Sequence, residues 1–283
     1  YQLLKLSAQR KLIRVGVIGA GKFGSMFLSQ AAIIPGVHVL GIADLNVEQA
    51  KSNLLNSHWN AEKFGAPSFD EALKHGTTYV CDSFEELVTH PAIDIIVEAT
   101  GNPIVAADHI LAAFENGKHV VSATVELDAI CGVALARAAK SAGVIYSMAY
   151  GDQPAMTCEL VDWARTCGLK VAAAGRGHKW HPDFRLSTPE TVWKHWGVTL
   201  EQVETGRLNP KMFNSFLDGT KPAIESAAIA NACGLDVPEH GLQYPLGSID
   251  DIPTLMRPEM HGGVLEKTGM VEVINGLRDD GSE

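Results

Sequence analysis

The chain has 283 residues, with 23 Lys and Arg against 33 Asp and Glu, a formal net charge of −10 and an isoelectric point near 5.5. So acidic a balance is a poor counterion for phosphodiester and excludes nucleic acid as a general partner. Hydrophobic residues at 46% and charged residues at 20% exclude a disordered chain and predict one large or two moderate globular domains.

Taken in chain order, Arg14–Ile18 reads as a short apolar strand, followed by a helix from Lys22 to about Ile33. Val37–Ala43 is a second strand and Asn46–Leu55 a helix, and residues 58–75 read as an insertion with one helix. Thr78–Cys81 predicts a third strand, with a short helix at residues 83–88 that ends before Pro91. Ile93–Ala99 is a buried strand. Pro103–Asn116 is a helix with Pro in its first turn and Gly117 as its stop. His119–Ala123 and Val144–Met148 are strands around a helix that Asp128 is placed to cap and Gly143 to end. Pro154–Cys167 is helical, and Lys170–Ala174 reads as one more strand of the same sheet. From about Gly175 the rhythm changes: Trp180, Trp193 and Trp196 occur among prolines, then a long helix runs from Pro222 to Cys233.

This alternation predicts an α/β fold: a Rossmann-type, doubly wound parallel sheet over residues 1–175, with a second, smaller α+β catalytic and oligomerisation unit over 176–283. The longest apolar runs, Ile93–Val97 and Val120–Val125, fall far short of the roughly 20 residues a bilayer span needs. Five scattered cysteines, none in CxxC spacing, read as reduced thiols of a cytoplasmic protein. The chain opens at Tyr1 without Met and stops at Gly281-Ser282-Glu283 without a capping element, which predicts a piece of a longer product.

Gly19-Ala20-Gly21-Lys22-Phe23-Gly24 is G-x-G-x-x-G between a predicted strand and a predicted helix. The first glycine permits the turn, the second lets backbone approach a pyrophosphate, and the third lets helix and strand pack closely. Helix amides then supply donors to the anion. Asp44 ends the second strand about twenty residues on, where an acid bonds the ribose hydroxyls and repels a 2′-phosphate, so NAD is preferred over NADP. A flavin or S-adenosylmethionine protein can share such a loop.

In an open parallel sheet, ligands bind beyond the carboxyl ends of the strands. Those positions hold Thr100-Gly101-Asn102, Thr124-Val125-Glu126, Tyr150-Gly151-Asp152 and Gly175-Arg176-Gly177-His178-Lys179. Thr100, Gly101, Asn102, Thr124 and Gly151 therefore join the cofactor site. Asn102 and Asp128 equally suit helix caps, and Glu126 and Asp152 are either turn residues or chemistry. Hydride transfer at a carbonyl needs a proton donor and an oxyanion partner. Lys179 and Lys221 are the candidates, with Asp218 and Glu225 to tune them. Glu225 lies four residues after Lys221, the spacing also of an ordinary surface ion pair. His178 and His181 lack a third and fourth ligand at metal spacing. Asp218, Glu225, Glu126 and Asp152 have the oxygen chemistry of a divalent-metal site, though spacing alone does not gather them. Arg176, Lys179, Arg185 and Lys221 predict a local basic pocket able to take an anionic substrate.

RVGVIGAGKFG, IDIIVEATG, GKHVVSATVE, GVIYSMAYGDQPAMTCEL, FLDGTKPAIESAAIANACGL and MHGGVL together resemble a homoserine-dehydrogenase-like group of oxidoreductases. Its best-known members are the type II, 1-deoxy-D-xylulose 5-phosphate reductoisomerase-like enzymes. The resemblance covers essentially the whole chain. It implies a homodimer or larger oligomer, a further C-terminal SAF-type domain, and a site built from Glu126, Asp152, Lys179, Asp218, Lys221 and Glu225. Two positions depart from the group's pattern. Thr124-Val125-Glu126 stands where homoserine dehydrogenases carry a lysine, and Asp44 stands where the NADPH-linked reductoisomerases are basic. The departures imply an NAD-linked sibling acting on a small hydroxy or oxo compound such as a sugar acid, polyol or sugar phosphate. A nucleotide-sensing protein without chemistry is the alternative of another class.

Overall fold

The computed structural model describes residues 2–9, 11–206 and 208–276, which divide into two compact units, the first ending at Asp152 and the second starting at Gln153. The terminal residues Tyr1 and Gly281–Glu283 lie outside the described residues, as does the side chain of Lys22.

After helix α1 (Gln2–Ala8), the first unit alternates β1 (Ile13–Ile18), α2 (Lys22–Ala31), β2 (Val37–Ala43), α3 (Val47–Asn56), α4 (Phe69–His75), β3 (Tyr79–Cys81), α5 (Phe84–Thr89), β4 (Ile95–Glu98), α6 (Pro103–Glu115), β5 (His119–Ser122), α7 (Val125–Ala142) and β6 (Tyr146–Met148). Among the described residues these strands form a six-stranded parallel sheet in the order β3-β2-β1-β4-β5-β6, the doubly wound arrangement expected from the sequence. Val15–Ile18 and Val39–Ala43 are buried because helices cover both faces. Leu28, Ala31, Ala50 and Leu54 from α2 and α3 pack with Val15, Val17 and Ile42. Phe69, Leu87, Ile110 and Leu127, from α4 to α7, join Ile18, Leu40 and Ile96 in a separate cluster. Asn46, Ser68, Ser83 and Asn102 each accept a helix amide as N-caps, so the local signals agree with the sheet they support.

One cap differs. Asp128 lies inside α7, 4% exposed, and the N-cap position belongs to Thr124, whose hydroxyl is taken by Glu98 of β4 and bonds no helix amide. The helix is interrupted at Cys131, whose φ of −143° is not helical.

The second unit holds α8 (Gln153–Thr166), β7 (Ala173–His178), α9 (Val192–Trp196), α10 (Leu200–Thr205), α11 (Pro210–Leu217), α12 (Thr220–Cys233), α13 (Ile252–Leu255) and β8 (Met270–Asn275). The domain boundary near residue 175 is thereby corrected. The α/β rhythm does continue through α8 and β7, but β7 pairs in parallel with β8, Ala173 opposite Met270, in a sheet of its own. A separate core of Val161, Ala174, Ile229, Leu235 and Val271 binds α8 and α12 to that sheet. The two strands lie very close at Gly175, where a Cβ would fall 1.8 Å from the carbonyl oxygen of Glu272. The tryptophans separate too. Trp180 stacks on Tyr244, while Trp193 and Trp196 pack against Phe213. No helix among the described residues is long and apolar enough to cross a membrane.

Candidate active site

The glycine loop joins β1 to α2, and its three glycines serve different needs. Gly19 has φ +94°, and a Cβ there would meet the Ala99 backbone at 2.9 Å. A Cβ on Gly24 would fall 2.1 Å from the Gly19 carbonyl oxygen, so the fold itself excludes side chains at both positions. Gly21 has nothing within 4 Å of its Cβ position. The protein does not need glycine there, and the open space beside the α2 N-terminus is what a pyrophosphate requires. Phe23, 47% exposed, follows at the start of the helix. Asp44 fixes the loop from β2: its Oδ2 accepts the Ala20 amide at 2.8 Å and its Oδ1 the Asn46 amide at 2.9 Å. Asn53 of α3 donates to the Ala20 carbonyl at 2.9 Å from the other side.

At the next strand end the sequence reading missed the central residue. Glu98, the last residue of β4, is fully buried, with both carboxylate oxygens in use. Oε1 accepts the hydroxyl and amide of Thr100 at 2.5 and 3.2 Å, with His109 Nδ1 at 3.4 Å. Oε2 accepts the hydroxyl of Thr124. That hydroxyl in turn accepts the Gly101 amide at 3.1 Å, so one buried carboxylate organises the ends of β4 and β5 together. Of the cofactor residues expected here, Thr124 is wholly buried and acts through this network, while Thr100, Gly101 and Gly151 are exposed. Gly101 and Gly151 have φ of +68° and +102° with open space at their Cβ positions. Asn102 is a cap, accepting the Ile104 amide at 3.1 Å.

Beyond β5 and β6, Asp128 accepts the Tyr146 hydroxyl at 2.6 Å. Burial pushes its carboxyl up to about 6, opposed by that hydrogen bond and reinforced by the charges of Asp152 and Glu126. The two half-buried acids singled out from sequence thus lie close enough to Asp128 to influence its ionisation.

In the second unit, alternation along β7 sorts the side chains. Arg176 forms an ion pair with Glu225 of α12, which is 3% exposed, and His178 Nε2 bonds the Phe216 carbonyl oxygen at the end of α11. Lys179 has the opposite parity, is exposed, and follows Gly175 and Gly177, which line a cleft of about 1060 Å³ together with Leu246, Ile249 and Ile274. Arg176 therefore faces α12, and His178 the end of α11. Lys221 is half-buried in the first turn of α12, after Gly219 with φ +88°. Asp218 ends α11, its carboxylate accepting the Asn214 amide group and the Thr220 amide, both at 2.9 Å. Trp180 and Tyr244 stack beside this turn, with the Arg185 guanidinium 5.0 Å above the indole. Of the expected basic pocket, Arg176 is neutralised by Glu225 and Arg185 rests on an aromatic face.

The same pairings bear on metal binding. Glu225 is engaged by Arg176 and Asp218 by Asn214 and Thr220. Among the described residues no group of three or more His, Cys, Asp or Glu is arranged to hold a metal ion.

Comparison with known proteins follows the same division. Residues 13–150 match a family described as "Oxidoreductase family, NAD-binding Rossmann fold", the GFO/IDH/MocA group, and residues 151–280 match "Oxidoreductase DRL, catalytic domain". A homoserine dehydrogenase from Methylobacillus glycogenes is 30% identical over 116 residues, which are 40% of this chain and 23% of that protein's length. Among solved structures, a probable dehydrogenase from Thermotoga maritima is 16% identical with a TM-score of 0.43, over 79% of this chain and 56% of the other. A myo-inositol dehydrogenase from Lactobacillus casei, in complex with NAD(H) and myo-inositol, is 14% identical with a TM-score of 0.43, over 64% and 50%.

Proposed function

We infer that this chain, which joins an NAD-binding Rossmann domain of the GFO/IDH/MocA oxidoreductase family to a DRL-type catalytic domain, is an NAD(P)-dependent oxidoreductase moving hydride to or from a small hydroxy or oxo compound. The observation that carries the reading is Gly21: the fold leaves space where a side chain would stand, next to helix amides and the acid Asp44. NAD(H), when bound, supplies or accepts the hydride. The Gly21 and Gly101 backbones leave room for it, and Asp44 selects the unphosphorylated ribose. Thr100 and Thr124 keep the β4 and β5 ends in place through Glu98.

In the catalytic domain, Lys221 is the proton donor or acceptor and holds developing charge on the substrate oxygen. Asp218 fixes the turn that presents it, and Glu225 fixes Arg176 beside the same helix. Lys179, being exposed, takes a secondary part. The substrate is a sugar acid, polyol or sugar phosphate, and the enzyme is a cytoplasmic homo-oligomer.

A second reading rests on the FLDGTKPAIESAAIANACGL motif alone: a type II reductoisomerase that rearranges 1-deoxyxylulose 5-phosphate before reduction. Parallel screens with NAD and NADP over polyols, sugar acids and that phosphate separate the readings. NADPH oxidation with the phosphate alone selects the second, and tight NAD binding without turnover on any substrate selects a sensor. Loss of turnover with cofactor binding retained is expected for Lys221→Ala. Unchanged turnover in both Lys221→Ala and Lys179→Ala overturns the assignment.

A further inference from the structure

The second unit holds three cysteines that no step of this reaction uses, and two of them share one helix seam. Cys158 lies on α8, Cys233 is the last residue of α12, and both pack at the edge of the core that joins these helices. On α8, Cys158, Val161 and Arg165 fall at i, i+3 and i+7, one stripe of the helix. Val161, 5% exposed, packs with Ile229 and Ala230, just before Cys233 on the facing helix. Arg165 reaches across the same seam, its Nη1 donating to the Cys233 carbonyl oxygen at 2.6 Å. Cys158 meets the Cys233 sulfur within hydrogen-bonding reach. Neither cysteine is in a disulfide and both are half-buried, within reach of a small reagent, whereas Cys81 is buried.

We propose that Cys158 and Cys233 form a redox dithiol, the chain's site of reaction with low-molecular-weight disulfides, which closes to a disulfide between α8 and α12. Electrostatics suit Cys233 as the attacking sulfur. A thiol at a helix C-terminus faces carbonyl dipoles that oppose ionisation. Here the hydrogen bond from Cys158 and the Arg165 charge outweigh burial and Asp162, holding Cys233 below the ordinary thiol range. The Cys233 thiolate attacks one sulfur of the reagent RS–SR, forming a mixed disulfide and releasing RS⁻. The Cys158 thiolate then attacks the Cys233 sulfur and expels the second RS⁻. Two protein thiols lose two protons and two electrons, and one external disulfide becomes two thiols.

The test incubates the full chain with glutathione disulfide over a range of ratios, caps remaining thiols with N-ethylmaleimide and maps peptides by mass spectrometry. A Cys158–Cys233 cross-link is expected, reversed by dithiothreitol, with Cys81 and Cys131 capped. Cys158→Ser is expected to stop at a glutathione adduct on Cys233. In the untreated chain at neutral pH, Cys233 should alkylate at least about threefold faster than Cys131, whose thiol burial holds above the ordinary range. Capped Cys158 and Cys233 at ratios where the exposed Cys167 carries glutathione would overturn the proposal, as would Cys158 bonded to Cys167 or alkylation of Cys233 no faster than of Cys131.

Discussion

The hydroxyl of Thr124 donates to Oε2 of Glu98 at 2.5 Å across 26 residues of sequence, and the Gly101 amide donates to that same hydroxyl oxygen. Glu98→Leu removes the acceptor from the exposed Thr100 hydroxyl and from the Thr124 hydroxyl, which stays buried, a loss of about 3 kcal/mol in unfolding free energy. Glu98→Gln keeps one acceptor oxygen and should cost about 1 kcal/mol. Urea unfolding distinguishes the two, and equal losses would show that the carboxylate does not organise these strand ends.

Asp44 already accepts the Ala20 amide, so in the proposed NAD site the ribose would meet an acid held in place by the glycine loop. Asp44→Ala should weaken NAD binding by roughly tenfold to a hundredfold, the loss of a charge-assisted bond plus a loosened loop. The preference over NADP should shrink with it. Fluorescence titration with both cofactors measures each, and unaltered selectivity would remove Asp44 from that role.

Breaking the Arg176–Glu225 pair from one side strands a charge. Arg176→Leu leaves Glu225 buried and unpaired and should cost about 3 kcal/mol, while the Arg176→Leu/Glu225→Leu double variant should recover much of the loss. A double-mutant cycle in urea reads the coupling directly.

Asp128 gives a pH signature. Its carboxyl, raised to about 6, keeps its proton in the folded chain where the unfolded chain, near the ordinary value of about 4, has lost it. Its contribution to stability is therefore complete below about pH 4 and is lost as the pH rises through 6. Relative to wild type, Asp128→Asn should gain on the order of 2 kcal/mol across that window. A constant difference from pH 4 to 7 would place the carboxyl at its ordinary value.

What the sequence disclosed was local. The glycine loop, Asp44 and the succession of strands and helices all follow from spacing and from apolar runs that end in polar residues. Glu98 escaped because a carboxylate inside a buried strand carries no periodic signal, and its partners Thr124 and His109 come from other elements. The i, i+4 spacing of Lys221 and Glu225 was legible, but the choice of Arg176 as partner depends on β7 turning that residue toward α12. The unit boundary was hidden for a related reason. Helix α8 and strand β7 continue the α/β pattern, and only the pairing of Ala173 with Met270 assigns them to another sheet.

Gly175 has no side chain to offer any substrate, yet the spacing between it and Glu272 sets where Arg176 stands. A methyl group at that point would pry β7 from β8 and swing the guanidinium off Glu225. A mutational screen would then score residue 175 as indispensable for turnover while the first unit went on binding its nucleotide undisturbed. Such a position holds the Arg176–Glu225 pair in place without contributing a side chain of its own.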